Sequence, residues 1–571
     1  MLKRYCGGFF LLLILSVAVH AQSRNDETNY LYGKELLKKE QFAEAANVFE
    51  KLAVPDRQSQ FAAYSHYYYA LAEFRQGHYE KANLTLLKLV ESFPDWSDKQ
   101  EAYYLMTLAA FERHKPEVAV DYLQKIKSRE LQTLATTAAD HYLQQIHGLD
   151  TLRTLYQKYP ANTSVAVAYA HQLQFAPRTP ENQQTLEKIR GQLPAERLNA
   201  LGKAPEQKAR YRVALLLPFE VKAINPDDIN RQNQFVLDFY QGVQLAQEQL
   251  KNEDGEPLVE LFVYDTEKSP ENVKAMAQWP ELRSMDLMVG PVYTNGSLVL
   301  TPFAQQYRIP MVNPLSENAE IIEGNPYSFL AEATLESRAQ AIATFALGQF
   351  KGKKVGILSG TDRRDTALAS AYQQAVEALG GQVVVLEKID GRLNSAVKDV
   401  VERLQKAGVS HVLVSSEDAF MAQNFITSLE LLGFRLPTVA PGSWLRDATV
   451  VSLPQWERQN IFFFMDNFAD SDKKAVQDFQ RRYMSRARLI PSVYAYQGYD
   501  QMMFFGEMLK KYGTGLAEGI HQEGYWPGIT LTGFDYSQGN DNRFVAVVKI
   551  EDGTLKIVNA PTSAAFEFQK R

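Results

Sequence analysis

Polar side chains follow the apolar, strand-like runs in the second half of the chain, and these side chains are suited to hold a small molecule. Apolar runs such as 213–218 and 461–464 are typical of strands buried in a parallel sheet. The carboxyl ends of parallel strands meet at one edge of the sheet, where helix amino termini also offer unpaired N–H groups. Hydroxyls and carboxylates at that edge would bind a polar ligand by hydrogen bonds, and aromatic rings would pack against it.

This rule selects two groups of candidate ligand-binding residues. The group after the earlier strands is Phe219, Asp265, Tyr293, Thr294, Ser297, Leu315 and Ser316. The group after the later strands is Ser359, Thr361, Asp362, Ser415, Glu417, Ser443 and Trp444. Serine also caps helices, so capping is the alternative role for Ser297 and Ser316.

No known catalytic motif accompanies these residues. The chain has no H-E-x-x-H, G-x-S-x-G or G-x-G-x-x-G sequence, and its 9 histidines show no metal-ligand spacing. We therefore predict a protein without enzymatic activity, metal or cofactor. A hydrolase that uses two carboxylates brought together by the fold is the alternative that the sequence leaves open.

Length and charge restrict the class of protein. With 571 residues, two or more domains are expected, and the 45% hydrophobic content supplies large cores. The formal net charge of -6 lacks the basic excess of nucleic-acid-binding proteins, so we expect no nucleic-acid partner.

The first residues have the pattern of an export signal. Lys3 and Arg4 precede an apolar run over 9–19, and residues 19–21 have the small-x-small pattern of a signal-peptidase site. We predict a signal peptide over 1–21 and a mature protein that is periplasmic or secreted. The run is about half the length that spans a bilayer, and Cys6 precedes it, so we expect neither a stable membrane anchor nor an acylated cysteine.

The first half of the chain has a helical repeat. Ala45, Ala82 and Ala119 are spaced at one fixed interval, within apolar positions three and four residues apart. A small residue at each helix-turn-helix joint would let two antiparallel helices approach closely. We predict an α-helical repeat solenoid over 22–203, with irregular helix pairs after Leu131.

The middle copy of this repeat, which contains Tyr69-Ala70-Leu71-Ala72, Gly77 and Pro94, resembles the tetratricopeptide repeat. That resemblance implies a concave face that binds segments of other proteins, here a protein of the cell envelope. The candidate partner-binding residues are Tyr64, Tyr68, Tyr103 and Tyr104. Packing between helices is the alternative role for these rings.

The second half of the chain alternates apolar strands with helices. The predicted strands are 213–218, 259–265, 286–291, the region of 312, 354–358, 382–385, 411–414, 438–440 and 461–464. Helices between most of them predict doubly wound parallel sheets, and the span 209–571 is long enough for two α/β lobes.

The order of motifs in this half resembles the type I periplasmic binding proteins, in particular the leucine- and amide-binding branch. Tyr264-Asp265-Thr266, Val289-Gly290-Pro291, the run 309–316 and Tyr499-Asp500 stand in the order of that family. The resemblance implies two lobes that close on a small polar ligand, of the amino-acid, amide or peptide class. It also implies that hydroxyls at Ser297 and Ser316 hold a ligand carboxylate.

The second lobe departs from that family. Ser359-Gly360 stands where the family has a Tyr-Gly pair, and 327–331 lacks the basic residue that the family has there. Glu417 remains a candidate for an ammonium group, and Arg363 or Arg364 for an anion. Free amino acids are therefore less suited as the ligand.

Two alternative functions follow from resemblance. Helical repeats followed by this fold resemble the lipoprotein activators of penicillin-binding proteins, which implies a scaffold that regulates peptidoglycan synthesis and has a vestigial cleft. The leucine-binding branch implies a solute receptor of an amino-acid ABC transporter. The leading prediction is an exported adaptor or receptor, with a protein partner on the repeats and a small polar ligand in the cleft.

Overall fold

The computed structural model describes residues 25–54, 61–146, 148–176, 179–201, 204–223, 233–447 and 449–560. The chain divides into two compact units, Met1–Lys203 and Ala204–Arg571. The predicted signal peptide lies outside the described residues and stays a prediction. None of the helices in the described ranges is both long enough and apolar enough to cross a membrane.

The first unit is all-helical in its described residues. Its helices are α1 (25–38), α2 (Phe42–Leu52), α3 (Ala62–Arg75), α4 (Tyr79–Ser92), α5 (Lys99–Glu112), α6 (Pro116–Leu123), α7 (Arg129–Gln144), α8 (Leu149–Lys158), α9 (Thr163–Phe175), α10 (Pro180–Gln192) and α11 (Ala195–Leu198). Ala45, Ala82 and Ala119 are fully buried where α2, α4 and α6 begin, as expected of small residues at helix joints. The predicted helical region is confirmed.

The second unit is α/β. Its strands are β1 (Tyr211–Leu217), β2 (Val259–Asp265), β3 (Leu287–Val289), β4 (Met311–Asn313), β5 (Ser328–Leu330), β6 (Lys354–Ser359), β7 (Gln382–Lys388), β8 (His411–Ser415), β9 (Thr438–Pro441), β10 (Ile461–Met465), β11 (Ala546–Glu551) and β12 (Thr554–Ile557). Its helices are α12 (Gln234–Gln249), α13 (Pro270–Met276), α14 (Thr294–Tyr307), α15 (Leu335–Gln349), α16 (Arg363–Ala378), α17 (Asn394–Ala407), α18 (Ala419–Leu431), α19 (Ser443–Asp447), α20 (Leu453–Arg458), α21 (Lys474–Ala487), α22 (Val493–Tyr512) and α23 (Leu516–Gly519).

The strands form two sheets, and each sheet is the centre of one lobe. The first-lobe sheet has the order β2-β1-β3-β4-β5, and all its pairs are parallel. The second-lobe sheet has the order β12-β11-β10-β9-β8-β6-β7. The predicted parallel arrangement is confirmed for β6 to β10, and β11 and β12 add an antiparallel edge.

The chain crosses between the lobes three times. It leaves the first sheet after β5, and after β10 it returns to the first lobe, where α21 and α22 pack against α12. It then crosses back to β11. The helices α12 and α22 approach so closely that a Cβ at Gly242 would lie 2.0 Å from the carbonyl oxygen of Ala495. Only glycine fits at this crossing without a shift of the backbone.

Candidate functional site

A cavity of about 430 Å³ opens at the carboxyl ends of β6, β8, β9 and β10 in the second lobe. Val493, the first residue of α22, also lines it, so the cavity faces the first lobe. The volume lies in the range of small-molecule sites, roughly 300–1,000 Å³. The ionisable lining residues are Arg338, Arg364, Asp365, Glu417, Arg446 and Asp466.

Arg338, near the start of α15, is the most buried of these charges, with 3% of its surface exposed. Its Nη1 donates to Oε2 of Glu317 at 2.7 Å, and its Nε and Nη2 donate to both carboxylate oxygens of Asp466 at 3.1 and 2.9 Å. Burial by itself would lower the pKa of Arg338, but the charges of Asp466 and Glu317 raise it. The guanidinium is therefore held ionised inside the cleft.

Glu317 belongs to the first lobe, because it follows β4, and a second arginine also binds it. Arg364, in the first turn of α16, donates from Nε and Nη2 to the two oxygens of Glu317 at 2.9 and 3.0 Å, and from Nη1 to Glu417 at 2.6 Å. Burial would raise the pKa of Glu317, yet the bonds from Arg364 and Arg338 lower it. These ion pairs join the two lobes.

Glu332 lies on the first crossing, directly after β5. Asn467 and Gln497 donate to its Oε1 at 3.1 and 2.8 Å, and these two residues lie on the second crossing and on α22. Burial, followed by the charge of Asp466, raises the pKa of Glu332 to about 8. At neutral pH this carboxyl group is therefore largely protonated.

Asp365 differs from the other carboxylates of the cavity. Burial raises the pKa of Asp365 to about 6, while a hydrogen bond from Ser416 lowers it. No ion pair to Asp365 is found among the residues that the structure describes. Its carboxylate is thus ionised at neutral pH without a cation bound to it.

The structure brings three of the predicted second-lobe residues to the cavity: Ser415, Glu417 and Ser443. Ser415 donates to the backbone oxygen of Asp365 at 2.5 Å. The hydroxyl oxygen of Ser443 is buried and has no hydrogen-bond partner among the described residues. Arg364 and Glu417 bind each other in this structure, and a ligand contact by either side chain stays a prediction.

The other second-lobe candidates lie away from the cavity lining. Trp444 is fully buried in the core, where its ring stacks on Trp456 at 5.9 Å and its Nε1 donates to the carbonyl of Ser416 at 2.7 Å. Ser359 is buried at the end of β6, and Thr361 and Asp362 are exposed before α16. In this arrangement Trp444 packs the core beneath the cavity.

The first-lobe hydroxyls form a small cluster. Thr294 Oγ1 lies 3.2 Å from Ser316 Oγ, so the structure brings these two predicted residues together. Ser297 has no exposed surface. Its hydroxyl donates to the carbonyl of Pro291 at 2.8 Å and accepts from Asn313 Nδ2 at 2.9 Å. Its hydroxyl is used inside the protein, and its role as a ligand contact stays a prediction.

The remaining first-lobe candidates have structural contacts. Asp265 accepts backbone N–H groups of Glu220, Val221 and Glu267 at 3.0, 2.9 and 2.9 Å, which fixes the loop after β1. The backbone N–H of Leu315 donates to Asn313 at 3.0 Å. The Phe219 ring lies edge-on to the Tyr240 ring, with centroids 5.5 Å apart. Tyr293 is exposed and lines a separate cavity of about 250 Å³.

Selecting polar residues after the predicted strands did not identify Arg338, Asp365 or Asp466 as lining residues. Asp466 directly follows β10, so the same rule could have selected it. Arg338 and Asp365 lie on helices, and whether a helical side chain faces the cavity depends on where its helix begins. The apolar pattern of the sequence does not define the first residue of either helix.

The candidate tyrosines of the helical unit are half-buried. Tyr68 stacks on Phe49 with centroids 5.4 Å apart, and Tyr64 meets Trp96 edge-on at 5.4 Å. Lys125 Nζ lies 5.7 Å from the ring centroid of Tyr103. Burial raises the pKa of Tyr104. These contacts are those of rings packed between helices, and partner binding by Tyr64, Tyr68, Tyr103 and Tyr104 stays a prediction.

Comparison with known proteins identifies similarity over both units. The family model described as periplasmic binding protein matches residues 235–536, more than half of the 571 residues. The crystal structure of full-length LpoA from Haemophilus influenzae is similar over 94% of this chain and 95% of that chain, with a TM-score of 0.58 and 14% sequence identity.

Two further relatives match part of the chain. An ABC transporter substrate-binding protein from Desulfitobacterium hafniense is similar over 61% of this chain and 100% of its own, with a TM-score of 0.43 and 19% identity. The "Probable metabotropic glutamate receptor mgl-1" of Caenorhabditis elegans is 24% identical over 141 residues, which is 24% of this chain and 14% of the receptor. The match with LpoA confirms the predicted architecture of a helical unit followed by an α/β unit; at 14% identity it shows the fold alone.

Proposed function

This chain belongs to the periplasmic binding protein family, and we propose that its α/β unit binds a small polar ligand in the cleft between the two lobes. The observation that carries the proposal is the cavity of about 430 Å³ at the carboxyl ends of β6, β8, β9 and β10. Cavities of this size and position are where α/β proteins bind their ligands.

The lining offers groups that would orient such a ligand. Ser443 provides a hydroxyl that has no hydrogen-bond partner among the described residues, and the half-buried Asp365 provides a carboxylate. The ion pairs from Arg338 and Arg364 to Glu317 draw the first lobe towards the cavity. Ligand binding would stabilise the closed arrangement because it adds contacts that the open arrangement lacks.

We propose a binding role without catalysis. The ionisable groups of the cavity are for the most part paired with one another, as Arg338 with Asp466 and Arg364 with Glu417. Nucleophilic catalysis would instead need a nucleophile within hydrogen-bond reach of a base that a third group orients.

The protein would be exported, either periplasmic or secreted. Its helical unit would act as an adaptor that binds a protein of the cell envelope. Stacked helix pairs present an extended surface for segments of other proteins. The half-buried rings of Tyr64 and Tyr103 are the candidate contacts on that surface.

A second function is favoured by one observation. Glu317, a residue of the chain itself, accepts hydrogen bonds from both Arg338 and Arg364 in the cleft. A cleft that is closed by its own ion pairs needs no ligand. It would suit a scaffold for envelope assembly, and peptidoglycan synthesis is the process that we predict for it. The alternative of a solute receptor for an amino-acid ABC transporter stays a prediction.

Thermal melts of the full chain with amino acids, amides, short peptides and sugars test the proposal. A ligand at about a hundred times its dissociation constant should add about 2.7 kcal/mol to the stability of the unit that binds it. Ser443→Ala removes an unpartnered hydroxyl from the cavity and should reduce the ligand-induced shift, whereas Thr361→Ala, at an exposed site outside the lining, should not. Silence of the whole panel would favour the scaffold.

A further inference from the structure

Every ionisable side chain of the cavity lining except Asp365 has an ion-pair partner among the described residues. Arg338 is bound by Glu317 and Asp466, Arg364 by Glu317 and Glu417, and Arg446 by its neighbour Asp447. Each guanidinium of the lining therefore already has a carboxylate partner. Asp365 has no such partner among the described residues, although it is half-buried in the cavity wall.

The same cavity has an apolar side. Leu368 lies three residues after Asp365 on α16 and therefore on the same face of that helix. Phe464 and Met465, at the end of β10, also line the cavity, as do Leu445 and Val493. A ligand that contacts this wall gains free energy by burying apolar surface.

We propose that the cleft ligand is an organic cation: a primary ammonium group beside Asp365, carried on an alkyl chain that packs against Leu368 and Phe464. This inference rests on the proposed function and specifies its ligand class. An unpaired carboxylate in a partly desolvated wall attracts a cation more strongly than an exposed carboxylate does, because water screens it less.

An anionic ligand fits the cleft less well. Its negative charge would have to displace Glu317 from Arg364, or join Asp365, Glu417 and Asp466 in the same cavity. Like charges held together in a poorly solvated site are unfavourable.

Binding of the cation should depend on the ionisation of Asp365. Its pKa of about 6 is raised by burial and by the charges of Asp362 and Glu417, and is lowered by the Ser416 hydrogen bond and the charge of Arg364. Below that pH the carboxyl group is protonated and loses its attraction for the ammonium group. The affinity should therefore fall about tenfold between pH 7.5 and pH 5.

Calorimetric titration of the full chain with n-pentylammonium, n-pentanol and pentanoate tests the inference, because the three probes share one chain and differ only in head-group charge. We expect pentylammonium to bind at least about tenfold more tightly than either other probe. Asp365→Asn should remove that preference, and Asp362→Asn, at an exposed site on the same loop, should keep it. If Asp365→Asn fails to fold, the pH dependence in the unchanged protein decides.

Three results would overturn the inference: no binding of pentylammonium, equal or tighter binding of pentanol or pentanoate, or an affinity independent of both pH and Asp365→Asn. The proposed function would survive if another compound bound with a sensitivity to Ser443→Ala. Failure of the cation class and failure of ligand binding as such are therefore distinguishable.

Discussion

Arg364 and Glu317 join the two lobes of the α/β unit through two parallel hydrogen bonds of 2.9 and 3.0 Å. The planar guanidinium matches both oxygens of the carboxylate, a geometry that lysine cannot reproduce. Arg338 binds the same carboxylate from a buried position, so both arginines of the second lobe meet at Glu317 of the first lobe.

Replacing Glu317 by glutamine should loosen the lobes. Glu317→Gln leaves Arg338 and Arg364 without one charged partner, and we expect a loss of about 1–3 kcal/mol in the free energy of unfolding of the α/β unit. Glu320→Gln, at an exposed site of the same loop, is the matched control. Urea unfolding of both variants checks this, and equal stabilities would contradict a bridging role for Glu317.

The lowered pKa of Glu317 also predicts a dependence of that contribution on pH. The pKa of Glu317 is lower in the folded state than in the unfolded state. Such a carboxylate stabilises the fold fully at pH values above its unfolded-state pKa. This contribution is lost as pH falls through the folded-state pKa. The difference in stability between the parent protein and Glu317→Gln should therefore be present at neutral pH and shrink in acid.

Glu332 should show the opposite dependence. The pKa of Glu332 is raised to about 8 in the folded state. Above about pH 4 the unfolded state releases a proton that the folded state still holds. The free energy of unfolding should therefore fall as pH rises from about 4 towards 8. Glu332→Gln resembles the protonated form and should raise the free energy of unfolding at pH 8.5 by at least about 1 kcal/mol. Urea titrations at pH 6 and 8.5 measure this, with Glu336→Gln, exposed on α15, as control. A variant less stable than the parent at pH 8.5 would refute the assignment.

Two helical glycines should respond in opposite directions to alanine. Gly242→Ala would place a Cβ 2.0 Å from the carbonyl oxygen of Ala495, and forcing α12 and α22 apart should cost about 1–3 kcal/mol. Gly348→Ala on α15 meets no atom within 4 Å and should gain about 0.5–1 kcal/mol from helix propensity. Thermal melts of the two variants compare the signs, and a neutral Gly242→Ala would show that the helices can separate without cost.

Two half-buried tyrosines of the helical unit should differ in how much they stabilise it. Tyr68 is half-buried and contacts Phe49 and Tyr30, with centroids 5.4 and 5.9 Å apart, so Tyr68→Ala should cost about 1–3 kcal/mol in the stability of the helical unit. Tyr103 is also half-buried against the core, but its ring lies beside Lys125 and, among the described residues, not beside a second aromatic ring, so Tyr103→Ala should cost less. Melts followed by circular dichroism test the difference, and equal losses would show that the aromatic contacts of Tyr68 add nothing to its packing.

The strand positions could be predicted from the sequence, whereas the cavity lining could be predicted only in part. Apolar runs such as 411–414 are local signals, and β8 lies where they indicate. Asp362 and Asp365 both follow β6 closely, but α16 begins at Arg363, which leaves Asp362 exposed and turns Asp365 towards the cavity. Trp444 follows β9, the position from which a ligand contact is predicted, yet its ring packs in the core against Trp456. These outcomes depend on helix starts and packing that no short run of residues encodes.

Hydrogen–deuterium exchange of the full chain, with and without the panel compound that gives the largest thermal shift, tests the central claim most directly. If the two lobes close on a ligand in the cavity, exchange should slow in the loops after β8, β9 and β10 and in the loop that holds Glu317, with Ser443→Ala weakening the effect. A slowing confined to other surfaces, or no slowing with any compound of the panel, would contradict the claim that this cleft is a binding site.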